Sequence, residues 1–64
     1  MNHAEQEWKE RYIYAVTRRL PKKQRREVAL ELEELISDML EDGGTIEEVL
    51  VRLGDPAAVA KKYQ

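Results

Sequence analysis

Residues 20–44 read LPKKQRREVALELEELISDMLEDGG, one helix with both ends marked. Leu20-Pro21 breaks whatever precedes it, because proline clashes with the preceding turn and disfavours helical geometry at Leu20. Proline also suits the first position of a new helix, where its missing N–H is not needed, so helix 2 is expected over about 21–41. At 100° per residue, Val28, Ala29, Leu32, Leu35, Ile36, Met39 and Leu40 fall within an arc of roughly 140°. Glu27, Glu31, Glu34, Asp38 and Glu41 take the opposite side, and Leu30 is the one large apolar residue out of place. Asp42-Gly43-Gly44 ends the helix, since glycine accepts the left-handed conformation a C-cap needs.

Outward from that helix the same logic holds. Upstream, about residues 4–19 form helix 1, with Trp8, Tyr12, Ala15 and Val16 on one face, Ile13 and Leu20 widening it, and Tyr14 on the far side. Downstream, Thr45-Ile46-Glu47-Glu48 is a capping box, its threonine oxygen accepting from the Glu48 N–H while Glu48 reaches back. Helix 3 follows over 46–53, with Ile46, Val49, Leu50 and Leu53 at helical spacing, and Gly54 stops it. Asp55-Pro56 supplies an N-cap and a proline in the first turn of helix 4, about 56–63, with Val59, Ala60 and Tyr63 inward. Nothing signals a strand. The fold class is all-α: residues 1–64 as a single helical domain, two long antiparallel helices closed by two short ones. The expected core is Trp8, Tyr12, Val16, Leu20, Val28, Leu32, Leu35, Ile36, Met39, Ile46, Val49, Leu50, Leu53, Val59 and Tyr63.

Sixty-four residues allow one small domain, and at that size only about 60% of the unfolded surface is buried. There is no cysteine, hence no disulfide scaffold or thiolate metal site, which fits a reducing compartment. No run approaches the ~18 apolar residues of a membrane span, and the first residues lack the pattern of a signal peptide. An enzyme is hard to build here. No base pairs with Thr17, Ser37, Thr45 or the tyrosines, and a catalytic carboxylate needs the burial that the acidic face of helix 2 lacks. His3 alone makes no metal site. Asp38, Glu41 and Asp42 lack EF-hand spacing, and Gly43-Gly44 is too short to cradle a phosphate. No catalytic residue, metal or cofactor is expected.

The net charge of −2 conceals a split. Arg18, Arg19, Lys22, Lys23, Arg25 and Arg26 form a block without an acid, and nine acids without a base follow from Glu27 to Val51. The block can be read as a phosphate-binding patch, as an attachment to an anionic leaflet, or as a solvated turn. The total negative charge and the missing base-reading face weaken the nucleic-acid reading. The charges also oppose the dipole of helix 2, with bases at its positive end and Glu41 and Asp42 at its negative end. Pairing with a second molecule turned end for end relieves this, so a homodimer or a partner helix is expected. The candidate interaction surface is Tyr14, Arg18, Arg19, Lys22, Lys23, Arg25, Arg26, Glu27, Leu30, Glu31, Glu34 and Asp38.

Tyr12-Ile13-Tyr14-Ala15-Val16-Thr17, Leu20-Pro21 with Arg25, and Glu31-Leu32 resemble the HAAS signalling domain of bacterial membrane-associated proteins. Glu47-Glu48-Val49-Leu50 through Leu53-Gly54-Asp55-Pro56 to Ala60 and Tyr63 continues the resemblance, which spans about residues 7–63. It implies a small cytoplasmic helical module, usually placed before transmembrane segments and commonly encoded beside PadR-type transcriptional regulators. The function so implied is non-enzymatic signalling by protein interaction at the inner face of the membrane. The partner is a PadR-type regulator, the rest of a membrane protein or another copy. The alternative is a nucleic-acid-binding regulator using the basic turn 18–26.

Overall fold

A computed structural model describes residues 3–64. It contains α1 (His3–Thr17), α2 (Lys22–Glu41), α3 (Ile46–Leu53) and α4 (Pro56–Lys62), with no strand among the described residues. The helix ends follow the local signals. Thr45 accepts from the Glu48 N–H at 3.2 Å, and the Thr45 N–H donates to the Glu48 carboxylate at 3.0 Å, completing the capping box. Asp55 caps α4 through the Ala57 N–H at 3.2 Å, with Pro56 in the first turn. Gly43 and Gly54 both adopt φ near +100°, where a β-carbon would be strained.

Besides the start of α1 at His3 in place of residue 4, three boundaries differ from expectation. α1 stops at Thr17 rather than Arg19, because the Arg19 and Leu20 N–H groups tighten onto the carbonyls of Val16 and Thr17 at 3.1 and 3.0 Å. Pro21 precedes α2 rather than opening it, since its ψ of 143° is extended. Tyr63 is the C-cap of α4, after Lys62.

α1 packs against α2, α3 and α4, and α3 also packs against α2. Tyr12, Val16 and Leu20 meet Val28, Leu32, Ile36, Val49, Val59 and Ala60 in one core. Ile13, Met39, Ile46, Leu50, Leu53 and Tyr63 are partly buried against it. Two expected core residues are not in it: Trp8 is 52% and Leu35 44% exposed. On α2 the buried residues Val28, Leu32 and Ile36 define an arc whose centre lies about 60° from Leu35. On α1 the buried arc turns toward Ile13 and takes in Thr17, whose hydroxyl donates to the Tyr14 carbonyl at 3.5 Å. Trp8 is left at the edge of that arc.

Tyr12 joins the distant parts of the chain. Its hydroxyl donates to the Gly54 carbonyl at 2.7 Å, across 42 residues. Burial, then the Asp55 carboxylate and Tyr63, push its ionisation above the ordinary tyrosine value of 10.0. A raised folded-state value means that folding favours the protonated ring. This stabilisation is complete below the unfolded-state value and is lost as pH rises through the folded one. Tyr12→Phe should therefore cost about 1 kcal/mol at neutral pH by leaving the Gly54 carbonyl without its donor. Urea melts above pH 10 should show wild-type stability falling more steeply than that of the variant. Parallel pH profiles would contradict this role.

Candidate interaction surface

The Leu20-Pro21 turn sets the position of the basic block. The Arg25 guanidinium returns from α2 to donate to the Leu20 carbonyl at 3.0 Å and to the Arg18 carbonyl at 3.4 Å. Arg19 donates to the Ala15 carbonyl at 3.2 Å. These are carbonyls left open where α1 ends, so two of the six cations cap that helix. The Gln64 side-chain amide donates to the Arg19 carbonyl at 3.3 Å. That bond brings the last turn of α4, with Lys61 and Lys62, to the same end of the molecule. The resulting basic pole is larger than the contiguous block in the sequence.

The opposite pole is acidic. Glu5 of α1 and Glu47 share a hollow with Gly44, Thr45 and Ile46. Asp42, Glu47 and Glu48, with Arg52 as the one base, line the adjoining one. The molecule is 32 Å long, and α2, at 1.5 Å per residue, nearly spans it. Along α2, Glu27, Glu31, Glu34 and Asp38 are exposed. Glu31 departs from a freely solvated face: its carboxylate lies beside the Tyr63 hydroxyl. Burial first, then the charge and hydrogen bonding of Glu31, raise the ionisation of Tyr63 above 10.0. Among the described residues no group of three or more His, Asp or Glu side chains is placed to hold a metal ion. Asp38, Glu41 and Asp42 are thus not gathered into one.

Tyr14 and Leu30 flank one groove. They are 68% and 61% exposed, and both line a shallow groove of about 330 Å³ between α1 and α2, with Glu10, Arg26 and Glu33 at its rim. Of the sequence-predicted surface residues, this groove collects Tyr14, Arg26 and Leu30. Arg18, Arg19, Lys22, Lys23 and Arg25 belong to the basic pole. Sequence reasoning missed the contributions of Glu10 and Glu33, which only the pairing of α1 with α2 reveals. It also missed a second exposed apolar patch, where Trp8 meets Leu50 and Val51, the last 80% exposed.

The start of α2 remains electrostatically poor. Pro21 offers no side-chain cap and the first turn has no acid. The Gln24 Oε1 is buried without a donor. Reversing an exposed charge there should help the fold: Lys22→Glu is expected to raise stability by about 0.3–1 kcal/mol, measured by denaturant titration at low salt. A loss of stability would mean that Lys22 has a structural partner.

The family model that matches the chain is HAAS, over residues 11–62. Comparison with curated proteins and with solved structures finds no match. The matched stretch takes in the end of α1, the Leu20-Pro21 turn, α2, the capped α3 and the Gly54-Asp55-Pro56 joint into α4. The chain therefore belongs to the HAAS family.

Proposed function

We propose that this chain is a non-enzymatic interaction module of bacterial membrane-linked signalling that presents its α1–α2 face to a protein. The observation that supports this most is the pairing of Tyr14 and Leu30 over one groove, both exposed and both carried on helices fixed by the core beneath. Aromatic and aliphatic side chains within a charged rim are the composition of a protein contact. Membership of the HAAS family supports a signalling role, and the resemblance noted in the sequence suggests a PadR-type transcriptional regulator as partner. Binding of such a regulator is best measured by calorimetry with the wild type and with Tyr14→Lys and Leu30→Lys. Both positions are exposed, so helicity should be unchanged, while affinity should fall about tenfold or more. Equal affinity for all three proteins would refute this use of the face.

The basic pole supports a second contact. Arg18, Lys22, Lys23 and Arg26 are exposed, and Lys61 and Lys62 stand near them. Each such residue close to an anionic leaflet contributes about 1 kcal/mol. The acidic pole, at the far end of a 32 Å molecule, lies several screening lengths away at physiological salt. We assign this pole to the inner leaflet, which places the module in the cytoplasm against the membrane. Co-sedimentation with phosphatidylserine-containing vesicles should show binding that weakens with salt and with Lys22→Ala/Lys23→Ala. Tighter binding to a DNA duplex than to the vesicles would favour the nucleic-acid reading instead.

A further inference from the structure

We propose that the module stands end-on on the anionic leaflet, with α2 along the membrane normal, its basic pole in the headgroups and its acidic pole held away from them. This orientation rests on the leaflet reading of the basic pole and adds to it how the rest of the molecule is presented. The chain is net negative, at −2, so it has no general attraction to an anionic surface. The distribution of its charges decides which way it can approach one. Six of its eleven bases lie between Arg18 and Arg26, and Lys61 and Lys62 of α4 join them at the same end. Two acids lie among these eight, Glu27 one residue beyond Arg26 and Glu31 beside Tyr63. The pole is left with six positive charges in excess. The other three bases, Lys9, Arg11 and Arg52, share the remaining length with the other eleven of thirteen acids, an excess of eight negative charges.

A leaflet acts mainly on charges within about 8 Å at physiological salt. α2 begins at Lys22, and its 20 residues nearly span the 32 Å molecule. With α2 upright, Glu33 stands eleven residues above Lys22, about 16 Å, and Glu34, Asp38 and Glu41 are higher still. All four are then screened from the headgroups. Laid flat on α2, the molecule brings six acids and no base from Glu27 to Glu41 against a surface that repels them. The side formed by α3 and α4 sets Glu47, Glu48 and Asp55 against Arg52 before Lys61 and Lys62 are reached. Along α1, Glu5, Glu7 and Glu10 outnumber Lys9 and Arg11. Only the end-on pose engages the excess of base without the excess of acid. It also leaves the α1–α2 groove open at the side, with Tyr14 about 6 Å above Arg18 and Leu30 about 12 Å above Lys22.

The chain has no cysteine, so a nitroxide can be attached at a single introduced one. Glu27, Glu34 and Glu41 are exposed and lie seven residues apart, on one stripe of α2 about 40° wide and at steps of about 10.5 Å. Glu27→Cys, Glu34→Cys and Glu41→Cys leave every base of the pole in place. Each labelled variant, shown to be folded by far-UV circular dichroism, is bound to phosphatidylserine vesicles that carry a nickel-chelating lipid. Power-saturation electron paramagnetic resonance then reads how close each label lies to the headgroups. Relaxation by nickel should be strongest at position 27, weaker at 34 and lost at 41. Equal relaxation at the three positions, strong or weak, would overturn the end-on pose and leave the leaflet contact standing. Relaxation strongest at position 41 would overturn the pose and the basic pole as the contact. A wild type that does not co-sediment with the vesicles at low salt would overturn the leaflet contact and the pose with it.

Discussion

One hydrogen bond, from the Tyr12 hydroxyl to the Gly54 carbonyl, ties the joint between the short helices to the middle of α1, on top of the core that Val49, Val59 and Ala60 share with Val16. Gly54 sits between α3 and α4 with positive φ, so the chain reverses there and its carbonyl is free to accept. Asp55 then starts α4 at once, and α4 packs back on α1. That path ends with Gln64 bonded to the Arg19 carbonyl, at the turn leading into α2. This contact in the middle of α1 acts with the burial of Val49, Val59 and Ala60 to set where the short helices lie. The path of α4 that follows brings Lys61 and Lys62 toward the basic pole.

The charge split has two physical meanings at one turn. A cation beside the end of α1 is favourable, because the carbonyls there are partly negative and short of donors. Arg25 and Arg19 meet that need directly. The same cations beside the start of α2 are unfavourable, because the N–H groups there are partly positive. The turn is too short to separate the two effects, so helping one helix disfavours the other. Arg25 is absorbed by the fold in this way. Lys22, Lys23 and Arg26 are exposed and serve neither helix end, which makes them the part of the block that the fold alone does not explain.

What could be read from the sequence follows from how local each signal is. The Thr45–Glu48 box and the Asp55 cap involve residues within three positions of each other, so their geometry can be read without knowing any tertiary contact. Helical phase is nearly as local, and it correctly turns Tyr14 and Leu30 outward. Burial is different. Trp8 and Leu35 lie on the apolar side of their helices but toward the edge of the buried arc, Leu35 about 60° from its centre. The centre of that arc is set only when the helices pack, which leaves both half exposed. Thr17 was missed for the opposite reason: a polar side chain is drawn inward once the packing of α1 is set. The capping by Arg25 spans five and seven residues across a break, which no helical period describes. That Tyr14 and Leu30 line one groove depends on which faces α1 and α2 turn toward each other.

The exposed apolar residues therefore fall into two kinds. Trp8, Leu35 and Val51 lie at or near the boundary of a core that runs out of cover, as any domain of this size must. Scattered exposure of that kind is ordinary on protein surfaces. Tyr14 and Leu30 are exposed because the phases of α1 and α2 direct them away from the core. No lengthening of α3 or α4 on the far side would bury them. Their exposure is set by helical phase rather than by the shortness of α3 and α4, and the groove they flank carries both signs of charge, with Glu10, Arg26 and Glu33 lining it.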